Sequence, residues 1–306
     1  MNRSIIDYLI LAAKGFGMGS ADVVPGVSGG TIAFITGIYE ELIDTIKGVN
    51  LGIFKTLTKE GIGAAWKQLN GNFLVAVFGG ILLSVFTLAK GLSYLLENHP
   101  VLLWSFFLGL ILASALFVGR QITKWSIGSI IALLVGAGIA LFISLSTTLS
   151  TPDATWFVFI AGAIAICAMI LPGISGSFIL VILGQYGPIL DAVHERNWKT
   201  ILVFMAGCAV GLLSFARLVS YLFKNFRNQT IAVLTGFMIG SLPKVWPWKI
   251  ATTEELKKGL GELVMPGGFE EKTGDPAQLL PAIGLAALAF ILVLGLERLA
   301  NTKESS

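Results

Sequence analysis

The sequence predicts an all-α polytopic membrane protein made of two inverted-topology repeats. Each repeat is expected to hold one re-entrant helical hairpin, formed at a Pro-Gly-x-Ser-Gly turn, and three spanning helices. The first observation is composition: of 306 residues, 55% are hydrophobic and 13% are charged, whereas soluble proteins average about 25% charged. The second is a series of apolar runs near the length of about 20 residues that a spanning helix needs. The third is a motif that occurs twice.

The repeated motif occupies 24–31 and returns at 171–177, and its two copies align at a constant spacing of 147 positions. Seven identities share this spacing: Pro25/Pro172, Gly26/Gly173, Ser28/Ser175, Gly29/Gly176, Gly37/Gly184, Tyr39/Tyr186 and Asp44/Asp191. The alignment continues at a spacing of 127 positions with Gly80/Gly207, Lys90/Arg217, Tyr94/Tyr221, Gly109/Gly236 and Ser114/Ser241. Such agreement in register indicates an internal duplication.

The whole chain, 1–306, is expected to be a single transmembrane domain in which repeat one covers 1–150 and repeat two covers 151–306. Repeat one is expected to contain helices at 4–20, 29–46, 72–94, 100–119 and 126–148, with a polar connection over 47–70. Repeat two is expected to contain helices at 155–171, 176–190, 199–222, 229–245 and 279–299. The polar stretch 246–278 is expected to be an extracytoplasmic loop, whose Trp246 and Trp248 suit an interfacial aromatic belt.

The topology follows from counting crossings. The helices on either side of each turn form either a re-entrant hairpin or two full crossings, and both cases contribute an even number. Three further spans make each repeat odd, so the second repeat enters the membrane upside down. Inverted repeats are a recurrent architecture of secondary transporters, whose site lies at the repeat interface. We favour re-entrant hairpins, because broken helices are tolerated in a bilayer only where the backbone lines a cavity or packs on protein.

Charge distribution predicts the orientation. With the N-terminus inside, the inner side holds twelve Lys and Arg residues and the outer side holds eight. Positive residues favour the cytoplasmic side, so both termini are expected to be cytoplasmic. The net charge of +3 gives no indication of nucleic-acid binding. Cys167 and Cys208 lie in apolar helices and in none of the usual metal or disulfide spacings, and neither a metal nor a cofactor is expected.

Each turn is expected to create an anion site. A helix that starts there presents backbone N–H groups without internal partners, and its dipole places partial positive charge at the same end. Phosphate and carboxylate groups bind at such helix ends. The candidate ligands are Ser28, Gly29, Gly30, Thr31, Ser175, Gly176 and Ser177. In the alternative interpretation, the serines only cap their helices and the glycines only pack.

Four charged residues are further candidates. Lys90 and Arg217 occupy equivalent positions inside predicted helices, and intramembrane cations are candidate functional residues because their insertion costs about 2.5–3.5 kcal/mol. They would bind the anionic group near opposite faces, or they would snorkel to the interface instead. Asp22 precedes the first turn and Glu41 lies near the far end of the following helix. Both are candidates for proton coupling, with a simple interfacial charge as the alternative for Glu41.

The motif also matches the G-x-S-G string of intramembrane serine proteases, at 26–29 and 173–176. That chemistry needs a base within hydrogen-bond reach of the serine. The histidines, His99 and His194, are predicted in loops at helix ends. An enzyme is therefore not expected.

The run 19–31, together with Gly-Ile-Tyr-Glu-Glu-Leu-Ile at 37–43, closely resembles the signature of the PopT family of bacterial membrane proteins, which is associated with polyprenyl-phosphate translocation. The second motif, 171–186, also fits. The resemblance implies a protein of the cytoplasmic membrane that moves undecaprenyl phosphate, the lipid carrier of cell-wall precursors, from the outer to the inner leaflet for reuse. The implied partner is this polyprenyl phosphate lipid within the bilayer, and a homodimer is left open. The alternative is a channel or exporter for a small soluble anion.

Overall fold

The structure is a computed structural model that describes residues 3–24, 27–50, 52–149, 151–152, 154–252, 255 and 260–304. Pro25 and Gly26 of the first turn therefore lie outside the described residues. Most of the described chain is helical. A helix satisfies its own backbone hydrogen bonds, which a segment inside a bilayer requires.

The helices of the first half are α1 (Ile5–Asp22), α2 (Gly29–Ile35), α3 (Tyr39–Gly48), α4 (Gly52–Glu60), α5 (Ile62–Gln68), α6 (Gly71–Asn98), α7 (Pro100–Arg120) and α8 (Ile127–Leu145). The second half contains α9 (Thr155–Ile170), α10 (Gly176–Ile182), α11 (Tyr186–His194), α12 (Trp198–Asn225), α13 (Arg227–Gly240), a 3-10 turn (Leu242–Val245), β1 (Lys249–Ile250), β2 (Glu262–Leu263), α14 (Pro266–Thr273) and α15 (Leu279–Glu304). The polar connection predicted over 47–70 thus includes two short helices, α4 and α5.

Within the described part of the chain, four helices are long and apolar enough to span a membrane: α6, α7, α8 and α12. The pair α10 and α11 is also long and apolar enough when its two helices are taken together as one span, although they are bent by 106°. The protein is therefore a multi-pass membrane protein with an almost entirely helical fold, as the composition predicts.

The structure corrects the helices predicted at 29–46 and 176–190, because both are broken. The first ends at Ile35 and a new helix begins at Tyr39; the second ends at Ile182 and restarts at Tyr186. Gly37 and Gly184 lie in these breaks with φ values of +74° and +64°. A right-handed helix cannot pass through such a backbone conformation, which glycine adopts readily.

The loop 246–278 is more ordered than predicted. β1 and β2 form a short antiparallel ladder, and Trp248 and Phe269 are buried with Val101 of α7 in a small apolar core. The indole N–H groups of Trp246 and Trp248 donate to the carbonyls of Val264 and Ala277, both at 2.8 Å. Both indoles are thus bonded within the protein, and the interfacial belt stays a prediction.

The two halves use the same close helix contacts. α1 packs against α6, and α9 packs against α12. At equivalent glycines in the two pairs, a side chain would overlap a carbonyl oxygen of the partner helix: Gly15 with Val77, Gly80 with Ala12, Gly162 with Phe204 and Gly207 with Phe159. The contact residues of α1 and α9 are 147 positions apart, and those of α6 and α12 are 127 positions apart. These are the two spacings of the sequence alignment. The duplication inferred from the sequence therefore extends to helix packing.

The two halves are also interlocked. α7 of the first half packs against α15 of the second, and α13 of the second packs against α8 of the first. The main core contains side chains of both halves, and its fully buried side chains include Trp104, Ile111, Ile231 and Met238. The centre of the molecule is thus built by both halves, and both Pro-Gly-x-Ser-Gly turns reach it.

Candidate functional site

The two turns contact each other through hydroxyl groups. The Ser28 hydroxyl donates to the carbonyl oxygen of Leu171 at 3.0 Å. The backbone N–H of Gly173 donates to Thr31 Oγ1, also at 3.0 Å. Ser28 and Thr31 are fully buried. The first turn is therefore bound directly to the second, and these two hydroxyls serve the contact between the halves.

A carboxylate occupies the N-terminus of α2. Asp22 Oδ1 accepts the backbone N–H of Gly29 at 2.7 Å, and the Ser28 hydroxyl accepts the N–H of Gly30 at 3.1 Å. Both amides thus have acceptors within the protein, and the role of Gly29 and Gly30 in binding an anionic ligand stays a prediction. Negative charge does favour a helix N-terminus, but here the chain supplies it. Asp22 acts as a cap, which the sequence analysis did not predict.

The second turn differs at this position. Met169 stands where the first turn has Asp22, so no carboxylate from that position reaches the start of α10. The hydroxyls of Ser175 and Ser177 lie 2.8 Å apart and share a hydrogen bond. At Gly176 a side chain would meet the backbone of α9 and the side chain of Met169. This glycine therefore serves close packing, and the role of the second turn in binding an anion stays a prediction.

An apolar cavity of about 620 Å³ lies beside the first turn. α1, α2, α6 and α7 form its wall, to which α15 adds one residue. The wall is almost entirely apolar, and its members include Ser20, Ala21, Ile32, Leu95, Leu103 and Phe107. Ligand cavities of about 300–1,000 Å³ with apolar walls are typical of small-molecule sites. This cavity is suited to a hydrocarbon chain and not to a hydrated ion.

Lys90 and Arg217 are both exposed on their helices. Arg217 donates to the carbonyl oxygen of Val49, just after α3, at 3.4 Å. Within the described residues, neither cation shares a hydrogen bond with the two turns. Their exposure is compatible with snorkelling, and their role in binding an anionic group stays a prediction.

Glu41 links three parts of the first half. Its carboxylate accepts two bonds from Arg3, at 2.6 and 2.7 Å, and one from Asn70 at 2.9 Å. The arrangement fixes the start of α6, and Arg3 two residues before α1, to α3. This is a structural role, and proton coupling by Glu41 stays a prediction. Among the described residues, no group of three or more His, Cys, Asp or Glu side chains is placed to hold a metal ion.

Two buried lysines were missed by the sequence analysis, which counted them as ordinary charges of the outer side. Lys244 and Lys249 are only 6% and 5% exposed. Lys244 Nζ lies 3.2 Å from the centre of the Phe178 ring, and Lys249 Nζ lies 4.1 Å from that of Trp104. Lys249 also donates to the carbonyl oxygen of Lys244. Aromatic faces attract cations but do not neutralise their charge.

Burial changes the acidity of both lysines. It lowers the pKa of Lys244 to about 6, with a smaller contribution from the nearby charge of Lys249. Burial also lowers the pKa of Lys249 to about 7. A strongly perturbed titratable group in a cavity marks a candidate functional site. The signal in the sequence was the pair of tryptophans between the two lysines over 244–249, which is unusual for a solvated loop.

The comparisons with known proteins identify the family. Residues 18–262 match the VCA0040-like family, described as undecaprenyl phosphate translocase-like. The chain belongs to this family. The match covers both turns, the buried lysine pair and part of the loop that follows it.

Two relatives in this family are similar along most of their length. A polyprenyl-phosphate transporter of Vibrio cholerae serotype O1 is 46% identical over 307 residues, which cover 98% of this chain and 100% of the relative. A polyprenyl-phosphate transporter of Staphylococcus aureus is 33% identical over 253 residues, covering 76% of this chain and 84% of the relative. No solved structure matches the chain.

Proposed function

We propose that this chain carries polyprenyl phosphate across the cytoplasmic membrane, from the outer to the inner leaflet, so that the lipid carrier is reused in cell-envelope synthesis. The observation that carries the proposal is the apolar cavity, whose wall includes Ile32, the residue that follows Thr31 at the contact with the second turn. A lipid phosphate needs both an apolar path for its tail and a polar path for its headgroup. The relatives named as polyprenyl-phosphate transporters support the same substrate.

The contacts of α3 support inverted repeats. Asn70, immediately before α6, donates to Glu41 of α3 at 2.9 Å. Ser220, near the end of α12, donates to Asp44 of α3 at 2.6 Å. The start of α6 and the end of α12 therefore lie against the same short helix. Because α6 and α12 are equivalent in the duplication, this arrangement favours opposite directions for the two halves, an architecture that many secondary transporters share.

In the proposed cycle, the prenyl tail occupies the apolar cavity or the adjoining lipid while the headgroup crosses at the repeat interface. One repeat rocks against the other, and the bonds from Ser28 to Leu171 and from Gly173 to Thr31 open and close with this motion. Ser175 and Ser177 supply hydroxyl donors along the polar path. Lys90 and Arg217 offset the charge of the headgroup near the two faces of the membrane.

The first test uses a substitution that narrows the apolar cavity. Leu95 lines it from α6 and is 39% exposed, so the larger Leu95→Trp side chain enters open space without overpacking the core. We expect this variant to slow the movement of undecaprenyl phosphate across proteoliposome membranes by about tenfold, equivalent to about 1.4 kcal/mol in the barrier. Leu83→Trp is the matched control, because Leu83 is 57% exposed on the same helix and is not among the cavity residues.

The same proteins in planar bilayers separate the proposal from a channel or exporter for a small soluble anion. A lipid transporter gives no anion conductance and co-purifies with lipid phosphate that mass spectrometry detects. Equal lipid transport by the Leu95→Trp and Leu83→Trp variants, together with steady anion conductance, would contradict the proposed function.

A further inference from the structure

The two buried lysines share one polar cavity. It has a volume of about 490 Å³ and lies between the end of α8, the 3-10 turn and the loop that contains β1 and β2. Its lining includes both lysines and a row of hydroxyl-bearing residues: Lys244, Lys249, Ser144, Ser146, Thr147 and Thr148. The cavity thus brings together two amines, which are cationic when protonated, and neutral hydrogen-bonding residues.

The acidic residues at this cavity are held by other partners. Glu262 lies 2.8 Å from the ammonium of Lys272, and both side chains are more than half exposed. Glu255, which is also exposed, accepts the backbone N–H of Thr252 at 2.8 Å. The lysines, in contrast, are buried and face aromatic rings and hydroxyls. Burying a cation without a counter-charge is costly, so this arrangement favours an anionic ligand in the cavity.

The segment that carries Lys244 also adjoins the second turn. The Lys244 ammonium lies over the ring of Phe178. This residue belongs to α10, the helix that begins at the second turn. A side chain at Gly173 would meet Ser241, which immediately precedes the 3-10 turn carrying Lys244. The segment that carries Lys244 is therefore packed against the second turn.

We propose that Lys244 and Lys249 form a binding site for a phosphate monoester group. We further infer that the headgroup of a polyprenyl phosphate is captured there before it reaches the turns, a step that rests on the proposed function. Once both lysines are protonated, their two ammonium groups match the charge of a phosphate monoester, which carries about −1.5 to −2 at neutral pH. Hydrogen bonds between charged donors and phosphate oxygens are the strong ones.

The acidity of the lysines provides an independent readout. Because burial lowers both pKa values to about 6 and 7, the two cations form only as pH falls through this range. The titratable groups nearest the cavity are these lysines, Glu255 and Glu262, and the carboxylates already bind elsewhere. Affinity for phosphate is therefore expected to rise as pH falls from about 8 to about 6.5, until protonation of the phosphate, with a pKa of about 6, opposes it.

The experiment measures binding to the full-length protein in detergent micelles, with undecaprenyl phosphate and inorganic phosphate as separate probes. Lys244→Met and Lys249→Met keep the apolar stems but remove the charge, and each is expected to weaken binding of both probes by about tenfold or more. Lys199→Met, at an exposed lysine of α12, is the matched control and is expected to bind like the wild type. Thermal unfolding shows whether each variant is folded. If a Met variant is not folded, the corresponding Gln variant, Lys244→Gln or Lys249→Gln, is used in its place.

The outcomes separate the two proposals. Unchanged affinity of folded variants for both probes would overturn the site. A loss confined to inorganic phosphate would mean that the site takes free phosphate, and would overturn capture of the lipid headgroup. If the wild-type protein binds phosphate through the lysines but moves no lipid, the proposed transport fails while the binding site stands.

Discussion

The Asp22→Ala variant is expected to lose most of its transport activity. Asp22 Oδ1 accepts the backbone N–H of Gly29 at 2.7 Å, in the turn where the two halves meet. Without this acceptor the amide at the start of α2 loses its partner, at a cost of about 1–3 kcal/mol. α2 also carries Thr31, so a shift of this helix disturbs the contact with the second turn. We expect transport in proteoliposomes to fall by about tenfold or more.

The matched control is Asp22→Asn, whose side-chain oxygen can still accept from Gly29 although it carries no charge. A cap requires only the acceptor, so this variant is expected to keep most of the transport activity. If Asn is as inactive as Ala while both proteins remain folded, the ionisable carboxylate itself is needed. That result would contradict the capping role and support proton coupling by Asp22.

The Thr31→Val variant is expected to weaken the junction between the halves. Thr31 is fully buried, and its hydroxyl accepts the N–H of Gly173 at 3.0 Å. Valine has nearly the same shape but leaves this amide without an acceptor, which costs about 1–3 kcal/mol. We expect a lower free energy of unfolding and strongly reduced transport, measured by denaturation in detergent and by lipid movement in proteoliposomes.

Thr31→Ser serves as the control, because it keeps the hydroxyl and loses only a methyl group. It is expected to transport lipid much better than Thr31→Val. Equal behaviour of the two variants would show that packing at this position matters and the hydrogen bond does not. The two turns would then be neighbours without being a functional junction.

The contact between the turns was predictable from the repeated motif. The spacing of 147 positions pairs Ser28 with Ser175 and places both motifs between apolar helices. Each copy of the motif must bury the ends of its broken helix, and the other copy provides a surface for this burial. The identity of the bonding groups was not predictable, because Ser28 and Thr31 contact backbone atoms of the second turn and not its serines.

The breaks at Gly37 and Gly184 were visible as aligned glycines but not as helix ends. Their flanking sequence is apolar and compatible with a continuous helix, and only the positive φ values reveal the bend. The cap formed by Asp22 was missed for a different reason. An acid seven positions before the amide that it binds is a tertiary contact across the turn, which lies beyond the range of local capping patterns.

The burial of the two lysines was missed because exposure was inferred from the average composition of the segment. The loop 246–278 is rich in charge and reads as solvated, yet Lys249 lies beneath Trp104 of α7 and Lys244 over Phe178 of α10. Both contacts join residues far apart in the chain. Periodicity and spacing describe neighbours in sequence, so they do not show which charges a distant helix will cover.

The most direct test of the account measures the leaflet distribution of undecaprenyl phosphate. Proteoliposomes that contain the wild-type protein and this lipid are treated from outside with a membrane-impermeant phosphatase, and released phosphate is followed over time. Lipid movement through the protein lets the phosphatase reach the whole pool, whereas protein-free liposomes release only the outer-leaflet share. If folded wild-type protein gives the same release as protein-free liposomes, the chain does not translocate this lipid and the central claim is wrong.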